Sequence, residues 1–475
     1  MDQITTVQAL PSAQTEDWQE QYAYSLGLQA YIYGFPWIYN AQLRWLWATP
    51  EGQRVSVEVG KPDLYAPINF FHCSPQLANP DNSQSGGSPN CDTLYSNAWL
   101  DVAAEPLVLS VPAVTDRFYC IEMVCMDADN FAYVGTRSTG TAAGNYLIAG
   151  PDWDGTLPPA AGDVQDVLPR ARTNGILLLG RTGVNNPDDV AAANAVQHNY
   201  RLTPLSLWPN TPPPTPGKVM VPKGVDYNHT ETAWLTMNES MTQDPPGQPP
   251  GIPQDQLLAL FATVGIGPGL DVMQQSAATR AGLQRAAEDG LALLRQMSQG
   301  RGNQVNGWTY PPLDIGRAGQ SSDFITRGAV QSLGGICAND PQEAVYINAS
   351  VDVDGEPLSG DATYRILIGA GEFPPCDQSR HGFWSITLYN SDYNLVPESR
   401  NYSINGYYPD YQKRLPDGAM VIWVCPTRPA TMPDGEYWLQ SPAGDSFYLI
   451  LRVYVPEPSV SETQSWRPPA IVQRP

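Results

Sequence analysis

Residues Pro89 to Val102 read P-N-C-D-T-L-Y-S-N-A-W-L-D-V. From Leu94 onward, Leu94, Ser96, Ala98 and Leu100 alternate with Tyr95, Asn97, Trp99 and Asp101. Successive side chains of a strand point to opposite faces, so this period of two predicts a half-buried strand. Its entry carries Asp92, Thr93 and Tyr95, a carboxylate, a hydroxyl and a phenol where sandwich and barrel folds open their pockets.

The same texture spreads outward. Short apolar runs divided by turn residues occupy Pro106 to Pro112, Arg117 to Met126, Asn145 to Gly150 and Gly175 to Gly180. It returns from Glu343 to Pro456, with period-two runs at Tyr364 to Ile368, Phe383 to Tyr389, Met420 to Val424 and Phe447 to Val455. With 46 prolines and 41 glycines, the chain is expected to make many turns and few long helices. Helical signals are local. Thr15 can cap a helix carrying Trp18, Tyr22, Leu26, Ala30 and Tyr33 that stops at Gly34, and Pro36 opens a second. Further helices are expected from Asn186 to Tyr200, near Gln254 to Val264 and from Met273 to Met297.

The fold class expected is mainly β (α+β): a helical segment over 1–60 and a first antiparallel sandwich over 61–205. A proline-rich linker with bridging helices over 206–304 leads to a second sandwich over 305–475. At 475 residues, two or three domains are expected, and 42% hydrophobic against 16% charged residues suffices to fill their cores.

A net charge of -22 repels phosphate backbones and anionic lipid headgroups, which disfavours nucleic acid and membrane partners. The lysines are Lys61, Lys218, Lys223 and Lys413, so Schiff-base chemistry has few candidates and nearly all positive charge is arginine. The first residues lack a basic n-region and an apolar h-region, and a cytoplasmic location is expected. Seven cysteines with no C-x-x-C spacing read as reduced core thiols.

Four histidines, no H-E-x-x-H and no G-x-S-x-G disfavour zinc proteases and ordinary α/β-hydrolases. Asp127 and Asp129, beside Asn130, offer hard oxygen ligands for calcium, yet an Asx-rich turn looks the same, so no metal site is assigned. The best constellation is catalytic Asp92, His72, Tyr95 and Thr93, with Asn90 and Arg137 binding substrate. A carboxylate beside histidine is an acid/base pair, tyrosine donates to a developing oxyanion, and arginine orients an anion. The competing reading is a structural Asp-Thr turn before a strand. Trp384, Tyr389, Tyr437 and Trp438 are candidates for stacking on a sugar or another flat substrate, with at least two of them expected in the core.

The chain resembles the family built from the domains of unknown function 1254 and 1214. The first is carried by I-N-F-F-H ending at His72, P-N-C-D-T-L-Y-S-N-A-W-L-D, V-G-T-R-S-T-G-T from Val134 and Q-H-N-Y-R-L-T-P-L ending at Leu205. The second is carried by D-V-D-G-E-P-L-S-G from Asp352, G-F-W-S-I-T-L-Y from Gly382, Y-W-L-Q-S-P-A-G from Tyr437 and W-R-P-P-A-I-V from Trp466. The resemblance implies two jelly-roll-like sandwiches and a homo-oligomer. Cys91 stands where relatives carry arginine or alanine, so no arginine role transfers there.

The expected function is a cofactor-independent enzyme (hydrolase, lyase or isomerase) using acid/base chemistry on a small polar, glycan-like or specialised-metabolite substrate in a cleft between the sandwiches. The alternative is a non-catalytic ligand-binding or structural homo-oligomer.

Overall fold

The computed structural model describes residues 15–474 apart from 84–86, 154, 211–219, 248–252, 299–300, 336 and 398. In the first half the period-two runs become β1 (His72–Cys73), β2 (Thr93–Asp101), β3 (Leu107–Val111), β4 (Tyr119–Cys125), β5 (Asn130–Gly135), β6 (Gly144–Ile148), β7 (Val164–Gln165), β8 (Gly175–Gly183) and β9 (Arg201–Pro204). They form a main sheet, β1-β2-β8-β4-β5, and a companion, β7-β6-β3-β9, antiparallel except for β6 with β7. Ala98 and Leu100, Ile121 and Met123, and Ile176 and Leu178 from the main sheet share one core with Leu107, Leu109, Tyr146 and Ile148.

The second half supplies β10 (Gln304–Val305), β11 (Trp308–Thr309), β12 (Ala344–Ala349), β13 (Thr363–Ile368), β14 (Trp384–Asn390), β15 (Ser403–Asn405), β16 (Met420–Cys425), β17 (Glu436–Gln440), β18 (Phe447–Tyr454) and β19 (Ile471–Arg474). Its main sheet runs β10-β11-β12-β18-β14-β15 and its companion β17-β16-β13-β19, with β16 and β17 parallel. Ile347, Ile386, Leu388, Leu449 and Leu451 pack there with Ile366, Ile422 and Val424.

Helix outweighs strand, 29% to 24%, so the expectation of a mainly β chain gives way to a mixed one with several antiparallel sheets and, among the described residues, no closed barrel. Helix α1 (Thr15–Ala48) accounts for much of the difference, because it runs through both Gly34 and Pro36 instead of stopping. A Cβ on Gly34 would lie 2.4 Å from the Met237 sulfur of α2 (Ala233–Gln243), so glycine here permits close helix packing and does not end the helix. Pro36 has no N–H for the Ile32 carbonyl. One residue on, Arg327 of a π-helix (Thr326–Gly334) donates to the Tyr33 carbonyl at 2.5 Å. The sheet periodicity gave no hint of that π-helix.

Helix α3 (Ala277–Met297) lies along α1 at a similarly short range: a Cβ on Gly282 would come 2.2 Å from the Glu20 carbonyl oxygen. These helices cover the second face of the first main sheet, where Trp99, Val124, Leu177 and Leu179 join their core. The strand read as half-buried is therefore buried on both faces. No helix among the described residues is long and apolar enough to cross a membrane.

Candidate functional site

The outer face of the second main sheet is polar, yet it is buried against the first half. Leu388, Leu449 and Leu451 point to the companion sheet, so alternation turns Ser385, Tyr389, Arg452 and Tyr454 the other way. Register aligns Asn405, Ser385, Arg452 and Tyr346 in one row across β15, β14, β18 and β12. Onto this row docks the loop Pro89 to Asp92. Tyr389 donates its hydroxyl to the Pro89 carbonyl at 2.7 Å. Asn90 Oδ1 accepts from the Asp92 backbone amide at 2.6 Å, and its Nδ2 donates to Thr93 Oγ1 at 3.0 Å and to the Tyr454 hydroxyl.

Asp92 is 1% exposed. Ser385 Oγ donates to its Oδ2 at 2.6 Å and Asn405 Nδ2 to its Oδ1 at 3.0 Å. Burial nevertheless raises its pKa, against the pull of Ser385, Arg452 and Asn405. Arg452 spends Nη2 on the Ser88 carbonyl at 3.0 Å and the Tyr389 hydroxyl at 2.8 Å. Its Nε and Nη1 are buried without an acceptor, and so is the hydroxyl of Tyr408, which lies in the field of Asp92. Asp92 and Arg452 form no ion pair, although each feels the other.

The other expected partners stand elsewhere. His72 pairs with Asn97, five positions along β2 from Asp92, which at strand rise is about 17 Å. No Asp–His pair forms, and burial lowers the His72 pKa despite Asn97 and Asp63. Arg137 follows β5, three strands from β2, and binds Glu343 Oε2 at 2.6 Å. The Tyr95 ring lies under the Arg181 guanidinium, 6.0 Å from its centroid.

Trp384 belongs to the second core, while Tyr389 faces the junction and lies 5.3 Å from the Tyr448 ring; opposite faces of β14 give them no common stacking surface. Trp438 sits on edge strand β17 and donates to the Cys425 carbonyl at 2.8 Å. Asp127, read as a calcium candidate, is gripped by Arg172, whose Nη2 reaches both of its oxygens at 2.9 Å. Asp129 Oδ1 accepts from the Gly319 amide at 2.9 Å, and burial beside Asp127 raises its pKa to about 7. A guanidinium thus supplies the charge a cation would have brought. All seven cysteines are free, and five are buried.

A second buried network escaped the sequence reading. Glu122 on β4 is fully buried; Arg181 Nη1 reaches its Oε2 at 2.7 Å and the Tyr133 hydroxyl its Oε1 at 3.3 Å. Asn130 Nδ2 joins Tyr133 to Asp340 Oδ1, and Arg317 Nε donates to Asp340 Oδ2 at 2.7 Å. Asn339 links Arg181 to the Tyr346 hydroxyl. Burial pushes Glu122 up to about 7 even beside Arg181. The available signal was a charge inside an apolar strand: Y-C-I-E-M-V-C, L-L-L-G-R-T-G and Y-L-I-L-R-V-Y. A surface cleft of about 340 Å³, lined by Phe70, Phe71, Cys73, His198 and Arg201 among others, does not touch Asp92.

Residues 68–204 match the family model described as protein of unknown function (DUF1254), and 343–458 match protein of unknown function (DUF1214). The fold is similar to the crystal structure of the VPA0106 protein from Vibrio parahaemolyticus, at 22% identity and TM-score 0.68, covering 95% of this chain and 100% of that one. An uncharacterised protein from Burkholderia cenocepacia aligns at 12% identity and TM-score 0.43 over 97% of this chain and 95% of that one. No curated protein matches.

Proposed function

Because the chain belongs to the family that pairs DUF1254 with DUF1214, names that carry no activity, we propose its function from the junction alone. It is a cofactor-independent enzyme of the hydrolase, lyase or isomerase class, acting on a small polar molecule held between the two halves. Asp92 is the acid/base group, Ser385 and Asn405 fix its orientation, and Arg452 with Tyr408 donates to the substrate. Asn90 and Thr93 shape the loop. The observation that carries this reading is a buried carboxylate of raised pKa beside a buried guanidinium and phenol with unused donors. Each half is in this proposal a jelly-roll-like sandwich, supported by the core its two sheets share. Self-association belongs to it too, supported by exposed Trp18 and Tyr22 on α1.

The non-catalytic reading draws on a specific observation: both Asp92 oxygens are already taken by the other half. Asp92→Asn separates the two. Against a panel of small hydroxyl- and carbonyl-bearing compounds, the variant is expected to lose about a hundredfold or more in turnover while staying folded. Unchanged activity per folded molecule, with a large fall in melting temperature, makes the loop a structural latch.

A further inference from the structure

Among the described residues, arginines 44, 117, 181, 327 and 452 are the buried ones. Three of them meet carboxylates: Arg44 with Asp101 and Asp244, Arg117 with Asp116 and Asp189, Arg181 with Glu122. Arg327 lies within 5.5 Å of the ring centroids of Tyr33, Trp37 and Phe324. Arg452 also lies near rings, those of Tyr389 and Tyr346, but two of its three nitrogens find no acceptor. An unpaired buried charge with idle donors is expensive unless something completes it. The Tyr408 hydroxyl, likewise idle, lies in the field of the same Asp92.

We infer that the molecule held at this junction carries an oxyanion, a carboxylate or a phosphate group, which pairs with Arg452 and accepts from Tyr408. This deepens the function proposed above and rests on that reading of the site. Arginine's planar fork suits either oxyanion, and charge-assisted hydrogen bonds to it are about twice as strong as neutral ones. Asp92 does not repel the anion when protonated, and its burial favours that form. In that state it has a proton to donate.

The test titrates the full chain with inorganic phosphate and, separately, with acetate and succinate at constant ionic strength, reading melting temperature and heat of binding. A saturable rise is expected with at least one of them, and the arm that saturates identifies phosphate or carboxylate. Arg452→Gln is expected to weaken binding by about tenfold or more, Arg452→Lys by less, and Tyr408→Phe by several-fold. Asp92→Asn should bind at least as tightly as the parent. Absence of saturation with all three probes, or affinity unchanged in both Arg452→Gln and Tyr408→Phe, overturns the inference; should Arg452→Gln fail to fold, Tyr408→Phe alone decides. Turnover lost in Asp92→Asn without any oxyanion binding would leave the enzyme reading standing on a neutral substrate. Oxyanion binding with turnover intact in Asp92→Asn would overturn the acid/base role and keep the anion site.

Discussion

The two faces of the second main sheet are both buried at β14 and chemically unlike. Its inner face, with Ile386, Leu388, Leu449 and Leu451, is a dry apolar core. Its outer face, with Ser385, Arg452 and Tyr454, meets the first half around Asp92 and, through Asn339 and Tyr346, Arg181. In the first region stability tracks area and volume, and the partner at each contact is interchangeable. In the second each group depends on a few named partners, because an unpaired buried charge costs more than the pair contributes.

The sharpest way to break the comparison is to remove one charge. Glu122→Ala orphans Arg181 and is expected to cost about 3–5 kcal/mol in denaturant unfolding. Leu451→Ala on the inner face is expected to cost about 3 kcal/mol, the middle of the range for cavity formation, by the same measurement. Only the loss at Glu122 should depend on pH. The Glu122 pKa is raised from 4.5 to about 7 on folding, so the folded state holds its proton more tightly. The stabilisation is full below the unfolded value and is lost as pH rises through about 7. Unfolding free energies at pH 5.5 and 8 should therefore differ more for the parent than for Glu122→Gln, which keeps only the contribution of groups such as Asp129; parallel profiles would show that Glu122 does not titrate in that window. Asp92→Asn, nearly isosteric and still able to meet Ser385 and Asn405, is expected to shift the melting temperature by only a few degrees, on the order of 1 kcal/mol. Smallest of all, Arg54→Ala breaks the exposed pair with Glu58 and should cost about 0.5 kcal/mol or less.

Most of the inner faces was legible in the sequence. The runs at Tyr364, Phe383, Met420 and Phe447 became strands because apolar residues at every second position need one buried side, whatever covers it. The outer faces were not legible, since burial of Ser385 or Asn405 depends on a partner some 300 residues away in the chain, as their 293- and 313-residue separations from Asp92 show. Composition misled at α1: Gly34 and Pro36 end a solvated helix, but this one is enclosed by α2, α3 and the π-helix, and packing overrides the local preference. Of the expected site, Asn90, Asp92 and Thr93 do converge, and they do so with Ser385, Asn405 and Arg452 in place of His72 and Arg137.

The inward turn of the arginines has a consequence for ionic strength. Lysine and arginine together number 26 against 48 acidic residues, and guanidiniums such as Arg44, Arg117 and Arg181 are enclosed with their carboxylates. The solvent-facing shell keeps most of that acidic excess, and it repels itself. Salt at about 0.15 M screens exposed charges beyond roughly 8 Å and buried pairs far less. Added salt therefore relieves the repulsion and leaves the attraction largely in place, so this fold gains stability with sodium chloride where a protein held by surface ion pairs loses it.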